Sequence, residues 1–253
     1  MGVPIVSVGN LIAGGAGKTP VTAALASRFE DAAVVLRGYG RKSRGLVVVS
    51  HRGEIKSDVE SSGDEAMLLA RSLPKASVIV SEDRIAGIER AKELGAKAIF
   101  LDDGFGACVE KLDLLIDPDP PNRRCIPAGP YRYPRSFLQK ADLVLKEGRD
   151  FIRKVSVKNR AKKMVLLTAI ANPQRLDPFL PEGITARYTF CDHHYFSEAE
   201  LAAIWQKERP DTFLVTQKDA VKLENFSYPL SVLELSVKLH RRVIEAVERH
   251  IKG

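Results

Sequence analysis

The segment that most constrains the fold of this chain is a glycine-rich stretch between a short apolar run and a helix-like run. The apolar run covers residues 3–8, and the helix-like run covers residues 21–29. The stretch itself reads Gly14, Gly15, Ala16, Gly17, Lys18, Thr19 and Pro20. A strand, a glycine-rich turn and a helix in this order are the setting of a phosphate-binding loop. The sequence therefore predicts a nucleotide-binding sheet of the P-loop type.

Each residue type in this stretch has a role in the predicted loop. Glycines let backbone N–H groups surround phosphate oxygens, and the N-terminus of the following helix adds partial positive charge. Lys18 is expected to reach the outer phosphates, and the Thr19 hydroxyl is a candidate ligand of Mg²⁺. The general pattern has another glycine five residues before Gly17, where this chain has Ile12. The alternative interpretation is a glycine-rich turn that only caps a helix.

Carboxylates lie next to two other predicted elements in the same half of the chain. Asp102 and Asp103 come directly after the apolar run 98–101. Because nucleotide-binding sheets hold their Mg²⁺ carboxylate at the C-terminal end of a strand, we predict a metal role for both, with a simple turn as the alternative. Asp64 precedes the helical run 67–72, and it is interpreted either as a helix cap or as a catalytic carboxylate.

Basic and histidine-containing loops are further candidates. The segment 37–42 contains Arg37, Tyr39 and Arg41, and it is either an anion-contacting loop or a flexible basic turn. A proline-rich loop over 118–134 and its flank contain four arginines, at positions 123, 124, 132 and 135, which suit an anionic ligand or a solvated connector. His193 and His194 follow an aspartate, and catalysis, metal binding and a polar helix start all remain open.

Strand-like and helix-like runs alternate along the whole chain, which predicts an α/β fold with a mostly parallel sheet. A strongly basic segment over 149–163 interrupts this alternation. We therefore expect a nucleotide-binding domain over 1–160 and a smaller α/β domain over 161–253, whose basic C-terminal helix is free to pack back on the first domain. The three cysteines fit neither a disulfide framework nor a zinc site, which indicates a reducing compartment.

The formal net charge of +7 suits nucleic acid, anionic lipid or a phosphorylated substrate as a partner. No apolar run in the 253 residues is long enough to span a membrane. The charge is expected to serve an anionic lipid surface rather than nucleic acid, because no nucleic-acid-binding module is recognisable.

Eight motifs occur together in an order that resembles the tetraacyldisaccharide 4′-kinases, the lipid A kinases of Gram-negative bacteria. They cover nearly the whole chain, and they lie at residues 8–20, 37–41, 63–65, 102–105, 127–130, 171–173, 192–194 and 218–220. The resemblance implies a P-loop α/β domain with a second, smaller α/β domain. It also accounts for Ile12, because the family lacks the first glycine of the general loop.

The resemblance implies transfer of the ATP γ-phosphate to the 4′-hydroxyl of an acylated glucosamine disaccharide 1-phosphate. It implies that residues 14–20 bind the nucleotide, that Thr19, Asp102 and Asp103 lie at Mg²⁺, and that Arg37, Tyr39 and Arg132 contact the substrate. Asp64 and His193 become the catalytic pair, in which one member takes the hydroxyl proton and the other sets orientation and pKa. The expected location is the cytoplasm, with peripheral association at the cytoplasmic face of the inner membrane.

The chain departs from the family pattern at three places. Gly106 and Ala107 replace a glutamine and a histidine, Tyr133 replaces a glutamate, and Gln217 replaces another glutamate. The family carries an N-terminal segment before the first strand, whereas this sequence starts close to that strand, so only weak membrane association is expected. The alternatives are a degenerate relative that binds nucleotide without phosphoryl transfer, and another ATP-dependent P-loop enzyme.

Overall fold

The computed structural model describes residues 2–253, and it divides the chain into two compact units. One unit contains the chain up to Arg153 together with Val237–Gly253, and the other contains Lys154–Ser236. The second unit is thus inserted between two parts of the first.

Eight strands and four helices build the first unit before the chain enters the second. The strands are β1 (Ile5–Asn10), β2 (Ala32–Leu36), β3 (Val47–His51), β4 (Glu54–Ile55), β5 (Ser77–Val80), β6 (Ala98–Asp102), β7 (Leu112–Ile116) and β8 (Leu143–Leu145). The helices are α1 (Lys18–Ala26), α2 (Val59–Ser62), α3 (Asp64–Ser72) and α4 (Arg84–Glu93).

The eight strands form one sheet in the order β4-β3-β5-β2-β6-β1-β7-β8. Its central pairs are parallel, and β3 joins by antiparallel pairing with β5 and β4. Every residue of β1, β2, β5 and β6 is buried, as expected for parallel strands with both faces covered. The C-terminal ends of β1 and β6, which are neighbours in the sheet, therefore bring the glycine-rich loop and Asp102 to the same edge.

The elements of residues 2–253 that remain are five strands, three α-helices and two 3₁₀-helices, the last two at Arg135–Lys140 and Pro173–Phe179. The strands β9 (Phe151–Lys158), β10 (Met164–Thr168), β11 (Ile184–Thr189), β12 (Thr212–Thr216) and β13 (Leu230–Leu239) form a sheet in the order β11-β10-β12-β13-β9. The helices are α5 (Glu198–Glu208), α6 (Gln217–Leu223) and α7 (Arg241–Lys252). Both units are built from parallel strands alternating with helices, so the predicted α/β class is confirmed.

Helix α7 returns the chain to the first unit. His250 Nε2 lies 3.0 Å from the Ile5 carbonyl oxygen, and Arg28 pairs with Glu248 at 3.5 Å. Asp150 in the same unit pairs with Arg242 and accepts a 2.6 Å hydrogen bond from its Nε. These contacts attach the basic C-terminal helix beside the first strand.

Element boundaries differ from the sequence prediction where a cap sets the helix start. Helix α1 begins at Lys18 instead of residue 21, because Gly17 is the N-cap residue with φ 85°. Helix α5 begins at Glu198, directly after the N-cap Ser197 of the predicted capping box, in which Ser197 and Glu200 exchange side-chain and backbone hydrogen bonds. Helices α2 and α6 were not predicted, because both are short polar segments.

Candidate active site

The glycine-rich loop connects β1 to α1 with its backbone open for a ligand. Gly14 and Gly17 have φ values of 94° and 85°, a region that glycine adopts without a steric penalty. A Cβ atom built on either glycine would have no heavy atom within 4 Å, so open space lies next to this backbone. Lys18 and Thr19 are the first two residues of α1, at the end of the helix where anions bind favourably.

Ile12, the residue in place of the missing glycine, fastens this loop to the proline-rich loop. Its side chain is buried, and its backbone forms a β-bridge with Tyr131. Ala13 N donates a 2.8 Å hydrogen bond to the Pro130 carbonyl oxygen. The position that the general pattern reserves for glycine is therefore used here for packing and for the attachment of a second loop.

The side chain of Lys18 lies among polar groups from three different segments. Its Nζ donates to Asn10 Oδ1 at 3.1 Å and pairs with Asp103 Oδ1 at 3.5 Å. Arg132 uses the same two partners, at 3.0 Å from Asn10 Oδ1 and 3.3 Å from Asp103 Oδ1. Two cations thus share one carboxylate and one amide oxygen beside the glycine-rich loop.

Asn10 is a site residue that the sequence analysis did not single out. It is the last residue of β1 and is 1% exposed. Its Oδ1 receives both cations, while its buried Nδ2 has no hydrogen-bond partner among residues 2–253. A polar residue that ends a buried strand is the same signal that identified Asp102, and it would have identified Asn10 as well.

Asp102 lies deeper, at the end of β6, and contacts threonine hydroxyls. Thr19 Oγ1 donates to Asp102 Oδ2 at 2.7 Å, and Thr22 Oγ1 donates to Asp102 Oδ1 at 3.1 Å. Burial raises the pKa of Asp102 to about 6, although the hydrogen bond from Thr19 acts in the opposite direction. Two residues that were predicted to lie at Mg²⁺ are therefore in direct contact, and both offer the hard oxygen ligands that this ion prefers.

Asp64 is buried at the first residue of α3. Gly63 is the N-cap residue, with φ 86°, so the helix cap that was one interpretation of Asp64 falls to a residue without a side chain. Asp64 is 2% exposed, and its Oδ1 accepts a 2.9 Å hydrogen bond from the backbone N–H of Glu65. Burial of a carboxylate is costly, which is a reason to look for a function beyond helix capping.

In the loop after β2, one of the basic side chains is nearly buried and stabilises the loop, whereas two other side chains are exposed to solvent. Arg41 is nearly buried, pairs with Glu82 at 2.5 Å and also donates to the Gly45 carbonyl oxygen. Tyr39 is 50% exposed, and the Arg37 guanidinium lies 5.6 Å from the centre of its ring. Arg37 and Tyr39 are thus placed to meet a ligand, whereas Arg41 holds the loop.

Two of the four arginines of the proline-rich region, Arg123 and Arg135, form ion pairs with nearby aspartates. Arg135 pairs with Asp117 at 2.9 Å and with Asp119, and Arg123 also pairs with Asp119. Arg132 is the one of the group that contacts the glycine-rich loop region directly, through Asn10. Its backbone N–H donates to the Leu11 carbonyl oxygen at 2.7 Å, which fixes its position beside the loop.

In the second unit, His193 and His194 have different partners. His193 Nε2 lies 3.6 Å from Asp192 Oδ2, and Asp192 Oδ1 lies 3.3 Å from Lys218 Nζ. His194 stacks on Phe190 with ring centres 4.7 Å apart and pairs with Glu200, the capping-box residue of α5. His194 is therefore engaged in the packing around α5, while His193 belongs to a carboxylate–lysine cluster.

The departures from the family motifs have local structural explanations. Tyr133 stacks on Phe137, and its hydroxyl is 3.7 Å from the position that a Cβ on Gly106 would take. Two of the changed positions are thus neighbours, where an aromatic ring lies over a residue without a side chain. Gln217 Oε1 accepts a 2.7 Å hydrogen bond from Leu235 N, a contact that a glutamate oxygen can also make.

Comparison with known proteins identifies the family. The family model for tetraacyldisaccharide-1-P 4′-kinases (LpxK) matches residues 1–252. The tetraacyldisaccharide 4′-kinase of Aliarcobacter butzleri is 50% identical over 251 residues, which cover 95% of this chain and 80% of the relative. The corresponding kinase of Helicobacter pylori is 45% identical, with coverage of 98% and 80%.

Among solved structures, LpxK from Aquifex aeolicus in complex with ATP superimposes with a TM-score of 0.84 at 27% identity, covering 99% of this chain and 89% of that one. The architecture and the sequence thus lead to the same family. The chain belongs to the tetraacyldisaccharide 4′-kinase family, as its eight motifs predicted.

Proposed function

We propose that this chain transfers the γ-phosphate of ATP to the 4′-hydroxyl of a tetraacylated glucosamine disaccharide 1-phosphate. The observation that carries the proposal is the cluster at the ends of β1 and β6, where Lys18, Thr19 and Asp102 come together. The A. aeolicus relative is described in complex with ATP, which supports the same nucleotide here. The disaccharide is proposed as the acceptor because of the family to which the chain belongs. ATP is proposed as the phosphoryl donor because the cluster offers groups that bind phosphates.

The nucleotide binds, in this proposal, along residues 14–20. The glycine backbone and the first turn of α1 surround the phosphates, and Lys18 exchanges its present partners, Asn10 and Asp103, for phosphate oxygens. We assign the first unit as the nucleotide-binding domain and the second as the smaller domain of the family. Phosphoryl transfer requires little covalent chemistry from the protein, so most of its contribution is positioning and charge neutralisation.

Mg²⁺ is proposed as the metal of the ATP complex. Thr19, Asp102 and Asp103 supply a hydroxyl and two carboxylates near the loop, and Mg²⁺ commonly uses one or two carboxylates together with phosphate oxygens. When bound, the ion would supply positive charge that neutralises the charge developing on the transferred phosphoryl group. Asp102, whose two oxygens accept hydrogen bonds from the Thr19 and Thr22 hydroxyls, is the residue best suited to hold it.

Asp64 and His193 are proposed as the proton-transferring pair. A sugar hydroxyl is a poor nucleophile, so a positioned base that removes its proton lowers the barrier to attack. Asp64 is a buried carboxylate, and His193 is held beside Asp192. One member accepts the hydroxyl proton while the other sets its orientation and proton affinity.

The acceptor is proposed to meet Arg37, Tyr39 and Arg132. The exposed ring of Tyr39 offers an apolar face, and the two guanidinium groups suit the 1-phosphate of the disaccharide or the transferred phosphoryl group. Because Arg132 already shares Asn10 and Asp103 with Lys18, it is the closer of the two arginines to the phosphate loop.

The experiment that tests the function is transfer of labelled γ-phosphate from ATP to the disaccharide 1-phosphate in detergent micelles. The parent protein should transfer phosphate in a Mg²⁺-dependent reaction. Asp64→Ala and His193→Ala should retain ATP affinity and lose about 10²–10⁴-fold in kcat, the usual contribution of general acid–base catalysis. Nucleotide binding without any transfer by the parent protein would contradict the proposal.

A weak, peripheral association with an anionic membrane surface completes the proposal. Among residues 2–253, the structure has no helix of the length and apolarity that a membrane crossing requires. The net charge of +7 and the basic helix α7 favour anionic lipid over neutral lipid. Vesicle co-sedimentation should rise with anionic lipid and fall with salt, whereas tight duplex binding in a gel shift without vesicle binding would contradict this partner.

A further inference from the structure

The first turn of α6 connects three consecutive side chains to three different parts of the second unit. Gln217 Oε1 accepts from Leu235 N on β13 at 2.7 Å. Lys218 Nζ lies 3.3 Å from Asp192 Oδ1, and Asp219 Oδ2 accepts a 3.2 Å hydrogen bond from Ala169 N. Two of these three contacts lead to the segment that carries His193.

The first route to His193 runs through the backbone of Ala169, the residue that follows β10. The Ala169 N–H is bonded to Asp219, and the Ala169 carbonyl oxygen accepts a 3.2 Å hydrogen bond from His193 N. His193 has φ 62°, a left-handed conformation that is costly for a residue with a side chain and persists only where its surroundings enforce it. Ala169, held by Asp219, is one of the residues that enforce it.

The second route runs through side chains. Asp192 Oδ1 is shared between Lys218 Nζ and the backbone N–H of His193, at 3.3 Å and 3.1 Å. The other oxygen, Oδ2, lies 3.6 Å from His193 Nε2. The carboxylate therefore lies within ion-pair distance of both the lysine and the imidazole, where its negative charge favours one orientation of the ring.

Capping of α6 alone does not require this arrangement. Asp219 N donates to the N-cap hydroxyl of Thr216, and that exchange would satisfy the helix terminus. Asp219 is nevertheless a fully buried carboxylate paired at 2.9 Å with Lys222, whose side chain is 1% exposed. Removing two charges from water is costly, and retention of a buried ion pair is best attested where it specifies one geometry.

We propose that Lys218 and Asp219 are positioning residues for His193, with Asp219 fixing the backbone at Ala169 and Lys218 fixing the Asp192 carboxylate against the imidazole. The inference rests on the proposed catalytic role of His193. It assigns a role in the reaction to two residues that lie outside the glycine-rich loop and act through His193 instead of contacting the reacting atoms.

The test compares Lys218→Met, Lys218→Arg and Lys218→Met/His193→Ala in the kinase assay. Lys218→Met should lower kcat between about 10-fold and 100-fold, the effect of misplacing a reacting group by up to about 1 Å, with the KM for ATP and the melting temperature unchanged. Lys218→Arg should restore most of the activity. In the His193→Ala background, Lys218→Met should cause no further loss, because it acts through the histidine.

Asp219→Asn supplies a second measurement that does not depend on activity. It should accelerate amide hydrogen exchange over 191–194, because the bonds through Ala169 are weakened, in addition to lowering kcat. If this variant does not fold, the Lys218 series carries the test alone. Arg187→Met is the matched control, since it removes the Arg187–Asp177 ion pair of the same unit, at 2.7 Å, and should leave kcat and exchange over 191–194 unchanged.

The outcomes separate this inference from the proposed function. An inactive His193→Ala enzyme beside a Lys218→Met enzyme with parental kcat would overturn the positioning role alone. Equal losses from Lys218→Met with and without His193 would overturn it as well. A His193→Ala enzyme with near-parental kcat would overturn the catalytic role of the histidine, and the positioning inference would fall with it.

Discussion

Two buried aspartates, one in each unit, show how similar surroundings serve different purposes. Asp102 ends β6 in the first unit, and Asp219 lies in the first turn of α6, directly after β12. Each accepts a hydrogen bond from a threonine hydroxyl, at 2.7 Å from Thr19 and 2.8 Å from Thr216. Only Asp219 has a lysine at ion-pair distance, with Lys222 Nζ 2.9 Å from its Oδ1.

This difference separates a carboxylate that is ready for a ligand from one that is already neutralised. Each oxygen of Asp102 accepts one hydrogen bond from a threonine hydroxyl, which does not neutralise its charge, and burial raises its pKa to about 6. In the proposed ATP complex, a cation that arrives with the phosphates would compensate that charge. The charge of Asp219 is neutralised by Lys222, so its contacts stabilise the folded second unit and fix the backbone at Ala169.

The largest effect is expected when the ion pair between Lys222 and Asp219 is broken. Lys222→Met leaves the Asp219 charge buried without its cation, so the free energy of unfolding should fall by about 3–5 kcal/mol in urea titrations. The double variant Lys222→Met/Asp219→Asn should recover much of the loss, because no uncompensated charge remains. A loss below about 1 kcal/mol for Lys222→Met would mean that the pair does not neutralise Asp219 as the distance implies.

The next largest effect is expected at Lys18, beside the glycine-rich loop of the first unit. Lys18→Ala should lower kcat/KM about 10²–10³-fold, the usual cost of removing one group that stabilises developing negative charge, while the melting temperature stays close to that of the parent. Calorimetry should also show weaker ATP binding. If turnover and calorimetry both match the parent protein, the assignment of residues 14–20 as the phosphate-binding loop is wrong.

The pH dependence of stability tests the Asp102 side of the comparison. Because its folded pKa of about 6 lies above the ordinary value of 3.8, the folded state binds the proton more tightly than the unfolded state. The corresponding stability is fully present below the ordinary pKa and is lost as the pH rises through about 6, a change on the order of 2–3 kcal/mol.

The measurement is a series of urea unfolding curves between about pH 4 and pH 7.5. Asp102→Asn carries no charge at this position, so its curve should lack the loss, and the variant should be more stable than the parent at neutral pH. Mg²⁺ with ATP should stabilise the parent and not the variant. If the free energies of unfolding of the parent and of Asp102→Asn changed in parallel with pH, the raised pKa of Asp102 would be contradicted.

The smallest effect serves as a reference for the buried pair. Arg187 and Asp177 form an exposed ion pair in the second unit, at 2.7 Å. Arg187→Met should change the free energy of unfolding by less than about 1 kcal/mol, because water and salt screen exposed charges. A loss as large as that of Lys222→Met would show that burial is not the property that separates the two pairs.

Parallel strands and the glycine-rich turn between β1 and α1 were predictable because their signals are local. The run that became β2 is continuously apolar, β5 and β7 each contain one polar residue, and Asp102 ends a further apolar run. The capping box of α5 was readable for the same reason, since Ser197 and Glu200 are three residues apart. The eight motifs then identified the family, because their order adds information that no single motif has.

Features that depend on distant partners were not predictable. The position of Asn10 at the end of a buried strand is a local signal, but no local pattern indicates that Arg132, 122 residues away, shares it with Lys18. Helix α6 was missed although Thr216 and Asp219 form a cap, because its polar first turn is typical of a loop. The burial of Asp219 and Lys222 depends on packing that composition does not reveal.

The return of α7 to the first unit has a consequence for synthesis. Ile5 and His250, which meet at 3.0 Å, are 245 residues apart, so the first sheet lacks this flank until residue 250 has been made. A ribosome releases the inserted unit, Lys154–Ser236, before the helix that completes its host. Domains generally fold as units during translation, and contacts between distant residues form slowly. The inserted unit therefore has its full sequence available before the unit that surrounds it in the chain.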